Sequence, residues 1–413
     1  MSEILSIYEI ADLNKNTITA KDNFSFINYL DTSNLTKNKV DSLQFLESEF
    51  PSRAKRKVTI NTILYSTVRP NQEHFGIIEN QIADNLIAST GFTTIDIVSS
   101  NINVKYLYYK LTQPFVTNYL QGIAENSVSA YPSIKPEAIG NLRFSFPDLS
   151  TQQKIASLLS TIDDKIELNN RINDNLEQMA KTLYDYWFLQ FDFPDENGRP
   201  YKSSGGKMVW NEVLKREIPI SWEVRKISQI AKTGSGGTPK STEKDYYENG
   251  DVPWINSGEL NNSFIISTNN YITELGMKNS NAKLFPRDTI LMAMYGATAG
   301  KTSILSFEAT TNQAICAVMP LETEMFHYTK FVLDDLYKYL INLSTGSARD
   351  NLSQDKIREL NIIVPNNFVL NQHSKMTFKY FEKIRNNLQQ NQQLNSLRDW
   401  LLPMLMNGQV KVE

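Results

Sequence analysis

Cysteine and histidine are nearly missing from this chain, and their scarcity removes whole classes of chemistry. The single cysteine, Cys316, excludes an internal disulfide and a cysteine-cluster zinc site. The three histidines, His74, His327 and His373, are too scattered to suggest a metal centre, so each is expected to be a packed or solvated side chain. There is no run of about 18 apolar residues, and the opening MSEILSIYEIADLNKN has neither a basic n-region nor an apolar h-region. Neither a helical membrane span nor secretion is supported, and the expected compartment is the cytoplasm. A dominant charge sign is missing too. The 42 Lys+Arg and 45 Asp+Glu leave a net charge of -3, so the chain is not coated in basic residues; the local basic run is Arg53, Lys55, Arg56 and Lys57, just ahead of the strand-like VTINTILYS at residues 58–66.

Catalytic signatures are equally scarce. No GxSxG nucleophile motif occurs, and no Asp-Pro-Pro-Tyr or Asn-Pro-Pro-Tyr string of the amino-methyltransferase type. The stretch GATAGKT at residues 296–302 invites comparison with a phosphate loop, but three residues separate Gly296 from Gly300 where four are needed. TGSGGTP at residues 233–239 is not GxGxxG between a strand and a helix, and Pro239 would spoil the helix entry. A flexible or DNA-facing turn is the expectation there.

Proline and glycine are absent from residues 151–190, and what stands in their place is helical. Ile155, Leu158, Ile162, Ile166, Leu176, Met179, Leu183 and Trp187 recur three or four residues apart as an apolar seam broken by Asn169 and Asn173. At about 1.5 Å per residue this helix would run roughly 60 Å and needs a partner of similar length. The partner lies in the same chain. Met376, Tyr380, Ile384, Leu394, Leu397, Leu401 and Leu405, with Asn387 and Asn391, each follow a counterpart in the first helix by 218 positions. Ser347-Ala348, Ile357 and Pro365 follow Ser129-Ala130, Ile139 and Pro147 at the same offset, so the chain is two copies of one unit. Two seams can pair in either direction. The symmetry of a duplication favours an antiparallel pair about a pseudo-two-fold axis, with Asn169 beside Asn391 and Asn173 beside Asn387. Buried there, the asparagines would fix register at a cost in stability; facing solvent, they would reflect only an Asn-rich composition.

In chain order the expected domains are a mixed α/β head at residues 1–147, a spacer helix at 148–192 capped by Asp148, Ser150 or Thr151, and a linker at 193–221 rich in proline, glycine and serine. A second head at 222–366 and a second spacer helix at 367–413, kinked or ended by Pro403, complete the chain. The strand at residues 288–294 should correspond to residues 62–66, and the helix at 328–343 to the helical stretch near residues 104–110. The fold class is α+β, with an internal repeat. Two copies that keep a frame and diverge in loops suit recognition rather than catalysis.

The whole chain resembles the DNA-specificity subunit of a type I restriction-modification system. The resemblance is carried by TGSGGTP with PWINSGEL at residues 253–260, by SAYPSIKPEAI at 129–139 and SARDNLSQDKI at 347–357, by FDFPDENGRPYKSSGGKMV after the first helix, and by STIDDKIELNNRIN and LRDWLLPMLMNG in the helices. The first head carries neither the glycine turn nor SGEL, and TGSGGTP is one residue longer than the family's plain TGGTP. The resemblance implies two target-recognition domains joined by a long antiparallel two-helix coiled coil. Each domain would read half of a split site in double-stranded DNA, while the helices set the gap and dock two methyltransferase subunits and, through them, restriction subunits. It implies no catalysis and no cofactor in this chain, with S-adenosylmethionine held by the methyltransferase partners and ATP and Mg by the restriction partners. Base readout needs donors and acceptors on loops. The candidates are Lys55, Arg56, Arg69, Ser129 and Tyr131 in the first head and Ser235, Thr238, Lys240, Ser257, Lys301, Ser347 and Arg349 in the second. The rival reading is a two-headed protein scaffold that never touches DNA.

Overall fold

A computed structural model describes residues 3–127, 132–296, 298–343 and 352–412. The chain divides into two compact units, Met1–Ile166 with Leu394–Glu413, and Glu167–Gln393. Each holds one head and a part of both long helices.

In the first unit, strand Glu3–Ser6 pairs antiparallel with Arg143–Phe146, and the one-turn helix Ile7–Ile10 follows, its two isoleucines buried. Glu9 reaches back to the Ser6 amide at 2.6 Å and closes the helix start. An antiparallel sheet then runs in the order Ala11–Leu13, Phe92–Ile97, Ile63–Ser66, Phe75–Ile77. Ile63–Ser66 is buried along its whole length, so it lies inside the head rather than on a solvated face. A second sheet has the order Gln44–Leu46, Ile27–Leu30, Leu86–Ser89, Ala54–Lys57, with its two middle strands parallel. Helices Val104–Leu111 and Pro114–Glu125 add Tyr106, Leu107, Leu111, Val116 and Leu120 to the core. Residues 58–66, expected as one strand, turn at 58–62 between strands Ala54–Lys57 and Ile63–Ser66, because Thr59 and Thr62 bond each other across the corner.

The head of the second unit repeats this plan. Glu223–Lys226 pairs with Asn361–Val364, helix Ile227–Ile230 follows, and the sheet order is Ala231–Ser235, Ile315–Pro320, Ile290–Ala293, Thr302–Leu305, Phe264–Ile265. Tyr271–Ile272, Val252–Ile255 and Thr310–Thr311 form the smaller sheet, again with one parallel pair. Ile290–Ala293 takes the place of Ile63–Ser66, and the single helix Phe326–Leu343 takes that of the two helices. The fold is therefore two similar mixed α/β domains with a long antiparallel helix pair, an internal repeat. Cys316 is fully buried on the strand Ile315–Pro320, where burial pushes the thiol up to about 12 and leaves it inert.

The long helices span Leu149–Tyr184 and Asn367–Met406, 36 and 40 residues. Asp148 caps the first by accepting from the Thr151 amide at 3.0 Å and its hydroxyl at 2.8 Å. Pro403 falls in the last turn of the second and does not break it; the helix ends at Met406, with Gly408 beyond it at φ +70. In each unit the helices run antiparallel. In the second, Asn169 donates to Asn391 and Gln390 at 2.8 Å, and Asn387 donates to Asn173 at 2.8 Å. In the first, Arg398 meets Asp163 at 2.9 Å, and Ile155 and Leu159 join one cluster with Leu402 and Leu405.

The buried line of the first helix passes through Ile155, Leu159, Ile162, Asn169, Asn173, Ala180, Tyr184 and Trp187. Leu158 and Met179, expected in the seam, are 36% and 51% exposed. Each has a neighbour one position on that fits a heptad better, and that neighbour is the buried one. Residues 193–221, expected as a linker rich in proline, glycine and serine, are anchored along their length. Phe193 stacks on Tyr201 at 4.7 Å and on Trp222 at 4.9 Å, and Met208–Asn211 pairs with Arg216–Pro219 as a hairpin. Among the described residues no helix is long and apolar enough to cross a membrane.

Candidate nucleic-acid interface

In the second head, four loops converge on one rim. The glycine turn enters first. Gly236 and Gly237 are buried, the Gly237 amide donates to the Thr311 carbonyl at 2.9 Å, and its carbonyl accepts from the Trp254 indole at 3.0 Å. A Cβ on Gly236 would collide with the Thr311 carbonyl, and one on Gly237 would lie 2.7 Å from the backbone of Asn281. These glycines allow close packing against Thr311 and Asn281, so the turn is pinned rather than flexible. Beyond them Thr238 and Lys240 are exposed. The Thr238 hydroxyl donates to Gln313 at 2.5 Å, and Lys240 pairs with Glu243 at 3.1 Å.

The loop at residues 312–314 is held from its other side as well. The Asn312 amide donates to the Ile255 carbonyl at 3.0 Å, and its side chain reaches Asn256 at 3.3 Å. Glu259 of the SGEL segment accepts from the Asn256 amide, Thr268 and Asn270 at 2.8, 2.7 and 3.0 Å, which fixes that segment. Ser257, half-buried, offers its carbonyl to Thr298 at 2.9 Å. Lys301 is exposed and donates to Asn261 at 3.1 Å. In the turn around it, the amides of Ala299, Gly300 and Lys301 bond to Gly296, Ala293 and Thr298. Those three donors are spent on main-chain carbonyls and are not free for a phosphate. Ser235 ends its strand, paired with Cys316.

The first head gathers its loops by the same main-chain bonds. The Thr67 amide donates to the Gly91 carbonyl at 2.8 Å, and the Ile134 amide to the Thr67 carbonyl at 2.8 Å. In the second head, Met294 donates to Ala314 at 2.8 Å, and Leu352 to Met294 at 3.2 Å. What rides on the frame differs. Arg69, in the left-handed region at φ 47, donates its amide to Pro132 at 2.9 Å, and the Thr90 amide bonds to Arg53 at 2.8 Å. Lys55 is exposed. Arg56 is half-buried, its Nε has no partner, and burial lowers its guanidinium below the usual range. Lys57 is engaged by Asp22 at 2.9 Å, a carboxyl drawn down to about 2 first by the Thr19 amide and then by Lys57.

The structure thus brings Thr238, Lys240, Ser257 and Lys301 onto neighbouring loops and puts Ser235 at the root of one of them. Lys55 and Arg56 share the strand Ala54–Lys57 of the second sheet, and Arg69 stands on the Thr67 loop. Ser129, Tyr131, Ser347 and Arg349 lie outside the described residues. Sequence reasoning passed over Gln313, Asn312 and Asn256, and named Arg53 in the basic run without counting it among the readout candidates. The polar TTNQ run at residues 310–313 was the visible signal, but its counterpart STG in the first head stands at an offset of 223, not 218. Among the described residues no cluster of metal-ligating side chains occurs, and His74, His327 and His373 are all packed or hydrogen-bonded.

The chain matches the type I restriction modification DNA specificity domain over residues 2–178 and 219–397, once for each repeat. It is 27% identical to the specificity subunit of the type I restriction enzyme HindI from Haemophilus influenzae, covering 98% of this chain and 99% of that protein. It is 30% identical to the type I restriction enzyme MjaIX specificity subunit from Methanocaldococcus jannaschii, over 79% of this chain and 74% of the relative. Among solved structures, the S subunit of a type I restriction-modification system from M. genitalium is similar in fold, with a TM-score of 0.58 over 98% of this chain and 96% of that one at 16% identity. Relatives named for specificity rather than catalysis, two matches to one domain, and a duplicated fold agree: the chain belongs to the type I restriction-modification DNA-specificity family, as a non-catalytic recognition component.

Proposed function

We propose that the chain reads a bipartite site in double-stranded DNA, each head contacting one half through its loop rim, and that the helix pair sets the unspecified gap between the halves. The observation that supports this reading most is the shared main-chain frame with unlike residues on it: Thr90 stands on the first rim where Gln313 stands on the second. A frame kept and a loop varied is how one scaffold stores two specificities. Helices of 36 and 40 residues are about 54 and 60 Å long, more than one duplex turn of about 34 Å.

In this reading the candidates Lys55, Arg56, Arg69, Ser235, Thr238, Lys240, Ser257 and Lys301 serve DNA contact. Asn169, Asn173, Asn387 and Asn391 set helix register. The domains run 1–147, 148–192, 193–221, 222–366 and 367–413. Two methyltransferase subunits dock on the helical spacer and bring S-adenosylmethionine; restriction subunits, where present, bring ATP and Mg. The chain holds no cofactor of its own and works in the cytoplasm. A net charge of -3 fits a subunit that reads bases while its partners supply much of the phosphate clamp.

The test is an exchange of residues 1–147 for the matching head of another family member, read by methylome sequencing. One half of the methylated site should change and the other persist. A change in both halves, or in neither, refutes modular reading.

A further inference from the structure

The second rim presents one side chain in a manner that suits base readout, and it is not among the basic residues. Gln313 is exposed at the tip of the loop between strands Thr310–Thr311 and Ile315–Pro320. The backbone beneath it is clamped on both flanks, by Gly237 bonding to Thr311 and by Asn312 bonding to Ile255, while Ala314 accepts from Met294. An exposed glutamine ordinarily samples many rotamers. Here the Thr238 hydroxyl donates to its Oε1 at 2.5 Å, a bond that favours one rotamer over the rest. Among the described residues its Nε2 makes no hydrogen bond. In this arrangement Oε1 faces Thr238 with one lone pair spare, and the two Nε2 hydrogens point away from it.

We infer that Gln313 is a base-specificity residue of the second head, reading an adenine in the major groove, and that Thr238 is its positioning residue. Rigid, oriented amides discriminate because adenine presents an acceptor at N7 beside a donor at N6, and a glutamine offers the complementary pair, Nε2–H to N7 and Oε1 to N6–H. The same brace explains why the turn needs two glycines before Thr238. Only with Gly236 and Gly237 flattened against Thr311 and Asn281 does Thr238 come within reach of Gln313. This inference rests on the proposed DNA reading and sharpens it to one base pair.

The test uses the full chain with its methyltransferase partners, selecting from duplex DNA randomised over the site, followed by sequencing. Gln313→Ala should lose preference at one adenine position of one half-site by roughly ten- to hundredfold, with every other position and the melting temperature unchanged. Thr238→Val should relax the same position less, and Thr238→Ser, which keeps the hydroxyl, should restore it. If Gln313→Ala keeps every preference, or weakens all positions alike, Gln313 is not the reader. If Thr238→Val leaves that position untouched while Gln313→Ala relaxes it, the brace is refuted. If the unaltered complex selects no sequence at all, the DNA reading itself falls, a different result from either.

Discussion

The two heads differ most where they are otherwise most alike. Both anchor a loop through the same pair of main-chain bonds, Thr67 to Gly91 and Ile134 to Thr67 in one, Met294 to Ala314 and Leu352 to Met294 in the other. In the second head the opening strand runs on to Ser235, and a buried glycine turn then carries Thr238 to Gln313. In the first, that strand stops at Leu13. Asn14 turns at φ 55, with its side chain accepting from the Thr94 amide at 3.0 Å, and the strand does not run on toward the loop. The first rim carries arginines instead, Arg53 and Arg69. Duplication thus preserved the backbone bonds, which every residue can make, and released the side chains, which carry the specificity.

The harshest way to probe that contrast is Gly236→Val. Its side chain has no room beside the Thr311 carbonyl, and the second head should lose about 4 kcal/mol or more in urea denaturation. Gly91→Ala in the first head is crowded by the Thr32 methyl at 2.7 Å, a side chain that can rotate away, with the Ser89 hydroxyl next at 3.5 Å, and should cost about 1 kcal/mol or less. Equal losses would mean the glycine turn has no special packing role.

Acid should separate the units next. His327 and His373 are buried in the second unit and held at about 3, chiefly by burial, with Arg385 and Lys330 adding to the effect on His327 and His327 adding to that on His373. Both His373 ring nitrogens lack a partner, whereas the His327 Nδ1 meets the Thr377 hydroxyl at 3.0 Å. The unfolded chain takes up these protons near 6.5 and the folded chain refuses them down to about 3. Stability is therefore complete above 6.5 and falls as pH drops through that window, by ~2 kcal/mol per histidine at pH 5. The first unit has no such pair; its His74 is half-buried and bonds the Leu35 carbonyl at 2.8 Å. Calorimetry at pH 5 should show the second unit melting before the first, and His373→Leu should narrow the gap. A single transition that shifts as one with pH would overturn this.

The asparagine ladder gives a smaller effect. Asn169→Ala leaves the buried Asn391 Oδ1 without its donor and should cost ~1–3 kcal/mol. The double change Asn173→Leu with Asn387→Leu should be neutral or stabilising, yet permit the helices to slip, seen as extra products in disulfide scanning between them. Smallest of all, Lys240→Ala removes an exposed pair with Glu243 and should leave stability within ~0.5 kcal/mol. If Lys240 meets a phosphate, the same change lowers the salt slope of DNA binding by about 1.

Much of the helix pair was legible beforehand because a repeat offset and four polar interruptions constrain register together. Asn169 beside Asn391 and Asn173 beside Asn387 follow from symmetry. The seam itself was less legible. Leu158-Leu159, Met179-Ala180 and Leu183-Tyr184 are adjacent apolar pairs, and periodicity cannot decide which member faces inward when both are hydrophobic. The heptad decided, putting small Ala180 inside and large Met179 out. The linker was misread for a related reason. Its proline, glycine and serine mark turns, but Phe193, Tyr201 and Trp222 form a stack that only a folded chain assembles.

The amino-acid order alone determined the duplication, the two long helices, the mixed α/β heads and the family, because these reside in spacing and composition that any reader of the chain can count. Tertiary structure alone decided which residues share a rim. Gln313 and Thr238 are 75 positions apart, and the bond between them exists only because two glycines without side chains let one strand end lie against another loop. Contacts of that separation depend on the path of the backbone in space, which local pattern does not encode.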